Sequence, residues 1–174
     1  MAYDLEEQEQ LATLKAWWGK YGNLVSWLAA GVLAAYAAWS GWNYYQRSQS
    51  TKAAALYEEI VKAAEQKDLA KITRASADMK DRFAGTAYAQ MATLVAAKSA
   101  FDANDLKAAK AELQWTAEHG KGDDFRAIAR LRLAGILLDE KANEEGLKVL
   151  SAEFPDEFGA LVADRRGDLL FASG

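Results

Sequence analysis

Side chains able to do chemistry are scarce in this sequence. His119 is the single histidine among 174 residues, it sits in the glycine-containing turn "HGKGD", and the chain has no cysteine. A lone surface histidine is more often incidental than a catalytic base or a metal ligand. The sequence contains no glycine-rich phosphate loop, no nucleophile–base arrangement and no paired metal ligands at helical spacing. We therefore predict that the protein is not an enzyme and has no catalytic residue, metal site or cofactor.

The charge balance argues against nucleic acid as a partner. The chain has 21 basic and 25 acidic residues, and the part after residue 46 has 19 and 21. Nucleic-acid-binding domains carry clustered lysine and arginine, which this sequence lacks. Contacts with protein and with lipid remain as the source of function.

One long stretch carries no charge. The 26 residues between Lys20 and Arg47 include no Asp, Glu, Lys or Arg. A bilayer core needs ~20 apolar residues in a helix, and the 19 residues from 24 to 42 reach ~28 Å at ~1.5 Å per residue. Aromatic rings at both ends suit the two membrane–water interfaces. These rings are Trp17, Trp18 and Tyr21 at one end and Trp39, Trp42, Tyr44 and Tyr45 at the other. We predict a transmembrane helix over residues 21–46, after a short tail over residues 1–20.

Two other interpretations of this stretch are a cleaved signal peptide and an apolar core helix. Small residues near Ser40 would suit a cleavage site, but the leading segment is acidic, whereas a secretory signal begins with positive charge. A core helix would not need aromatic rings at both ends. Lys15 and Lys20 on one side balance Arg47 and Lys52 on the other, so charge leaves the orientation open.

The remaining residues, 47–174, have the periodicity of helices throughout. Asn104 or Asp105 suits a helix N-cap, and Gly120 suits a helix C-terminus. The expected helices cover residues 50–66, 69–83, 86–103, 106–118, 123–142, 144–153 and 158–172.

An internal repeat organises these helices into hairpins. A shift of 37 residues places Ala97 on Ala134, Ala109 on Gly146 and Leu113 on Leu150. Each hairpin then has one small residue per helix where the two helices approach closely, as in tetratricopeptide (TPR) repeats. The fold class that we predict is all-α, with a single N-terminal transmembrane helix followed by a TPR-like α-solenoid of stacked helical hairpins.

The segment "LVADRRGDLLFASG" is typical of the first helix of a further hairpin. Gly167 lies 33 residues after Ala134, in the position of the small residue. The sequence stops at Gly174, where the second helix is expected. We expect the last hairpin to be incomplete through truncation, with a capping helix as the alternative.

Two segments, "YDLEEQEQLATLKAWWGKYGN" before the uncharged stretch and "FPDEFGALVADRRGD" near the end, resemble the YfgM family, the ancillary subunits of the SecYEG translocon. The resemblance implies a cytoplasmic tail and a TPR-like domain over residues 47–174 on the periplasmic side of a bacterial inner membrane. It also implies association with SecYEG and with a membrane-anchored periplasmic chaperone of the PpiD type, and a role in handling newly translocated proteins.

The uncharged stretch offers one candidate contact surface. Small residues four apart let a second helix come close in lipid, so Gly31, Ala34, Ala35 and Ala38 are candidates for packing against a membrane partner. The alternative is that alanine merely fills a permissive span.

The concave side of the solenoid offers a second candidate surface. An apolar lining there would suit hydrophobic or unfolded segments, although a stripe of this kind is more often buried core, and a C-terminal helix would be able to fill the groove. The predicted lining is Met91, Leu94, Phe101, Ile128, Leu131 and Leu138. A separate mixed-charge segment, Arg126, Arg130 and Arg132 with Asp123 and Asp124, is predicted to be a solvated face.

The function predicted from these features is that of a non-enzymatic membrane adaptor of the translocon that contacts a chaperone or an emerging client. A tethered scaffold that recruits an envelope assembly complex without touching clients is the alternative. An enzyme remains a third class, which would require a pocket with strongly perturbed ionisable groups.

Overall fold

The computed structural model describes the backbone of residues 2–173 and the side chains of residues 9–173, so the acidic side chains before Glu9 lie outside the described part. Every regular element within that part is helical. The elements are α1 (Ala2–Glu65), α2 (Leu69–Phe83), α3 (Ala87–Asp102), α4 (Leu106–His119), α5 (Asp123–Asp139), α6 (Asn143–Leu150), a 3₁₀ turn (Asp156–Phe158) and α7 (Gly159–Ala172). Two compact units, Met1–Arg47 and Ser48–Gly174, divide the chain within α1.

The first unit is the N-terminal part of α1. This helix is long and apolar enough to cross a membrane, with a mean hydropathy of 1.4 over its most apolar window and none of that window buried. A core helix would bury such a stretch, so the core-helix interpretation is wrong. The aromatic rings at the two ends neighbour one another along the helix, with 5.6 Å between the ring centroids of Trp17 and Tyr21 and 6.3 Å between those of Trp42 and Tyr45.

The second unit is a stack of helical hairpins, as predicted. The last part of α1 packs with α2 and α3 around Ile60, Ile72 and Met79. Further along, α3 packs on α4, α4 on α5, α5 on α6, and α7 on both α5 and α6. Each helix presents an apolar stripe that it cannot bury alone, and stacking buries the stripes in three successive core clusters.

The turn inside each hairpin is built in the same way three times. Lys67, Asn104 and Lys141 each have a left-handed backbone, with φ of 55°, 62° and 61°. The next residue in each turn donates its N–H to a carbonyl five residues earlier, for example Asp105 N to Ala100 O at 2.8 Å, which is the Schellman pattern of helix ends. These three residues are spaced by 37 positions. The first hairpin, formed by the end of α1 and by α2, therefore shares the period of the other two although its sequence matches the repeat only weakly.

Helix ends follow from these turns. The left-handed backbone at Lys141 ends α5 at Asp139, three residues before the predicted end at 142. The helix predicted over 144–153 is α6, which ends at Leu150. Asp68 caps α2 and Asp105 caps α4, since each carboxylate accepts the N–H three residues later at 3.0 Å. The prediction that Gly120 ends a helix is confirmed.

The small residues of the repeat lie in the core. Ala97, Ala109, Ala134 and Gly146 are all buried. A Cβ on Gly146 would lie 2.7 Å from Cδ2 of Leu169, so glycine leaves the space that Leu169 of α7 occupies. Gly167 has no neighbour within 4 Å of its Cβ position among the described residues, and its role in a further hairpin stays a prediction.

Candidate functional site

A groove of about 600 Å³ runs across the first helices of successive hairpins. Its lining comes from α3, α5 and α7, with one residue from α4. The lining residues are Ala97, Lys98, Phe101, Asp102, Leu113, Leu131, Arg132, Gly135, Ile136, Asp139, Leu161, Asp164 and Arg165.

The groove has an apolar floor and partly exposed apolar walls. Leu113 and Ile136 are buried beneath it. Phe101 is 42% exposed and Leu161 is 56% exposed, and half-buried Leu131 lines the groove as well. Water must leave these side chains when an apolar ligand binds, which is the usual driving force for association at such a surface.

Only part of the predicted lining reaches this groove. Phe101 and Leu131 line it, while the other four predicted residues are half-buried elsewhere. Leu94 packs against the core cluster that contains Leu113, and Leu138 packs against the cluster that contains Leu150. The other two of the four are Met91 and Ile128. A helical stripe thus divides between core and groove, and the use of the groove stays a prediction.

Leu161 is an exposed apolar groove residue that was not predicted from the sequence. It belongs to α7, which forms a wall of the groove and does not fill it. A signal was available, because the shift of 33 that places Gly167 on Ala134 also places Leu161 on Ile128.

The charged residues around the groove are unevenly paired. Lys98 Nζ lies 2.6 Å from Asp102 Oδ2, and Arg165 Nη1 lies 3.5 Å from Asp168 Oδ2. Arg132, Asp139 and Asp164 make no ion pair with any residue in the described part of the chain. The lining therefore presents one unpaired cation and two unpaired carboxylates.

The prediction of a solvated face is wrong for two of its three arginines. Arg126 donates to Gly120 O at 3.2 Å, and Arg130 donates to Ala117 O at 3.4 Å, so both bind carbonyls at the C-terminus of α4. Both are half-buried, because cationic side chains are stabilised by the carbonyls that a helix leaves unpaired there. Arg132 is exposed and faces the groove.

His119 ends α4 and is exposed. Its ring stacks on Trp115, with 5.2 Å between the centroids and 16° between the planes. Trp115 packs against the first core cluster. No three His, Asp or Glu side chains within residues 9–173 come together as a metal site.

The candidate packing residues of the membrane helix are exposed. Gly31, Ala34, Ala35 and Ala38 have no covering element in the first unit, and a Cβ on Gly31 would meet nothing within 4 Å. The space that a partner helix would need is therefore open, and packing there stays a prediction.

The second unit and most of the first match the model of a tetratricopeptide repeat-like domain, over residues 15–174. A protein of Neisseria gonorrhoeae is 31% identical over 99% of this chain and 83% of its own length. Proteins of Haemophilus influenzae and Escherichia coli are 28% and 29% identical over 100% and 97% of this chain and 85% and 81% of their own lengths. All three are named ancillary SecYEG translocon subunit.

No solved structure matches the chain significantly. The family match and the relatives agree with the fold, a TPR-like solenoid preceded by a candidate membrane helix. The chain therefore belongs to the YfgM family of ancillary SecYEG translocon subunits, as the resemblance of its two terminal segments predicted.

Proposed function

We propose that this protein is a non-enzymatic adaptor, anchored in a bacterial inner membrane, that associates with the SecYEG translocon. Residues 1–20 form a cytoplasmic tail, 21–46 cross the bilayer, and 47–174 form a periplasmic TPR-like domain. The observation that carries the proposal is the likeness to ancillary SecYEG translocon subunits over nearly the whole chain. An apolar helix with no cover and a solenoid with an open groove support it physically.

The periplasmic domain, in this proposal, links the translocon to a membrane-anchored chaperone of the PpiD type and assists newly translocated clients. The groove supports this function over that of a scaffold that never touches clients. Because α7 lines the groove instead of filling it, Phe101 and Leu161 remain accessible to a partner.

The membrane helix makes the second contact. Gly31, Ala34, Ala35 and Ala38 lie on one side of the helix at ~100° per residue, where a translocon helix can approach the backbone closely. Large side chains there would hold the two helices apart.

Leucine substitutions at Gly31, Ala34 and Ala35 test this contact. We expect the variant to insert into the membrane and to recover much less SecYEG on co-purification. Leucines at Ala29 and Ser40, on the opposite side of the helix, provide the matched control and should leave recovery unchanged. Equal recovery with both variants would exclude this face as the contact.

Site-specific photocrosslinking tests the two surfaces together. A photoreactive residue at position 34 should capture a translocon subunit, and one at position 161 should capture a chaperone or a translocating client. If position 161 captures an assembly complex and captures no chaperone or client, the scaffold function is favoured.

A further inference from the structure

The third hairpin lacks the helix cap that the first two hairpins share. Asp68 caps α2 and Asp105 caps α4, and the 37-residue shift places Ala142 at the same position before α6. The backbone at Ala142, with φ of -87° and ψ of 55°, resembles the backbone at Asp105, with φ of -89° and ψ of 75°. The alanine side chain has no oxygen to accept an N–H, so it makes no cap hydrogen bond. The first turn of α6 therefore lacks the stabilisation that an N-cap side chain provides.

A buried polar atom weakens the same end of α6. Asn143 follows Ala142, where the first two hairpins have Leu69 and Leu106. Both leucines pack against core clusters, whereas Oδ1 of Asn143 is buried and accepts no hydrogen bond from any described residue. A buried acceptor without a donor opposes folding, because the bond with water that it lost on burial is not replaced. Opening of α6 returns this oxygen to water.

The rest of α6 is also held more weakly than its counterparts. This helix has 8 residues, whereas α2 has 15 and α4 has 14. Gly146 lies inside it, and glycine weakens a helix interior. The third core cluster has three buried residues, Ala134, Leu150 and Leu169, whereas the second cluster has nine. Elements with few buried apolar contacts are the ones that open first.

Contacts between α6 and α7 join the two helices into one unit. Leu169 of α7 lies in the space over Gly146 of α6. The guanidinium of Arg166 in α7 donates a hydrogen bond to the carbonyl of Leu150, the last residue of α6. Since α7 also carries Leu161 in the wall of the groove, a movement of this unit changes the groove.

We propose that α6 and α7 are a gate of the groove, which undocks from α5 as one unit while the helices from α2 to α5 stay folded. The docked state has the complete groove, and the undocked state lacks the wall that carries Leu161. A segment that contacts Phe101 and Leu161 at once binds only the docked state and shifts the equilibrium toward it. This last step rests on the proposed function, whereas the opening itself does not.

Hydrogen exchange of the full chain in nanodiscs, at low concentrations of urea, tests the gate. We expect the slowest amides of α6 and α7 to share one opening equilibrium. Its urea dependence should be smaller than that of the α2 amides, because a partial opening exposes less surface than global unfolding. The amides of α2 should also exchange more slowly.

Two substitutions restore the residue types of the first two hairpins and should close the gate. Ala142→Asp should slow exchange in both α6 and α7 about fivefold, which is the usual effect of an N-cap. Asn143→Leu should slow it roughly tenfold, because it removes the buried acceptor. Neither substitution should change exchange in α2, since the repeats of a solenoid contact only their neighbours. Asp105→Ala is the matched control, because it removes the cap of α4. It should speed exchange in α4 about fivefold and leave α6 and α7 unchanged.

Exchange of α6 and α7 with the same rate and urea dependence as α2 would overturn the gate, because the stack would then open as a whole. Faster exchange of α6 without α7 would overturn the joint movement. No slowing with either Ala142→Asp or Asn143→Leu would overturn the cause assigned to the opening. Photocrosslinking from position 161 separates the gate from the proposed function. Opening as expected, with no chaperone or client captured at that position, refutes the client contact and leaves the gate in place.

Discussion

The docking of α7 gives the sharpest test of the fold, through Leu169. Its side chain is 0% exposed and lies in a cluster with Ala134 and Leu150, over the space left by Gly146. Truncating a buried leucine to alanine costs about 2–5 kcal/mol, depending on how far the surroundings collapse. Within the described residues α7 packs on α5, α6 and the preceding 3₁₀ turn, and a shift of α7 toward them can fill part of the cavity. We therefore expect about 3 kcal/mol for Leu169→Ala, in the lower half of that range.

Hydrogen exchange of the full chain in nanodiscs measures this loss helix by helix. Repeats of a solenoid contact only their neighbours, so the amides of α7 should exchange roughly a hundredfold faster, since each ~1.4 kcal/mol is a factor of ten. The amides of α2 should be unaffected. Leu170→Ala is the matched control, because this neighbour is 59% exposed and its truncation should cost within about 0.5 kcal/mol. Equal effects of the two substitutions would show that α7 buries a different face.

A double-mutant cycle with Gly146 extends the test. Gly146→Ala alone should destabilise the α6–α7 contact, since its new methyl group lies 2.7 Å from Cδ2 of Leu169, whose side chain is fully buried. Added to Leu169→Ala, the same methyl group fills part of the cavity. We expect a favourable coupling of about 0.5–3 kcal/mol, and strict additivity would contradict the contact.

Two further predictions concern the stack itself. Lys141→Gly should raise the free energy of unfolding by about 0.5–1 kcal/mol, because glycine adopts the left-handed backbone without a Cβ clash. Asn104→Gly should change the free energy of unfolding less, because asparagine tolerates that conformation. Urea unfolding measures both effects, and a loss of stability with Lys141→Gly would contradict the strain. The carboxylate of Glu112 accepts hydrogen bonds from Ser76 Oγ at 3.0 Å and from Lys80 Nζ at 2.7 Å, and these bonds connect α2 to α4. The Glu112 side chain is 12% exposed. Glu112→Ala should lower the free energy of unfolding by about 1–3 kcal/mol in the same assay. Glu112→Gln should lower it less, since the amide keeps the hydrogen bond with the serine. No change with either variant would show that these contacts between α2 and α4 do not stabilise the stack.

The membrane helix and the solenoid class could be predicted from sequence, because their signals are local. A run without charge and a 3.6-residue periodicity act over one helix, and Asp68 and Asp105 cap helices through N–H groups three residues away. The prediction for α2 matched both of its ends for this reason.

Contacts across helices could not be predicted in this way. The first hairpin, whose sequence matches the repeat weakly, is recognisable by the left-handed backbone at Lys67. A lysine in the sequence does not indicate that conformation. Likewise, the periodicity of α5 does not reveal that Arg130 reaches the carbonyl of Ala117, since the acceptor is exposed by the end of another helix.

An uncharged helix of membrane length, a helical remainder and repeating hairpins can therefore be inferred from the order of the residues. Which apolar side chains remain accessible depends on how the helices pack. Leu138 packs into the core while Leu161 lines the groove, because a stripe on one helix is covered or left open by neighbours some thirty residues away.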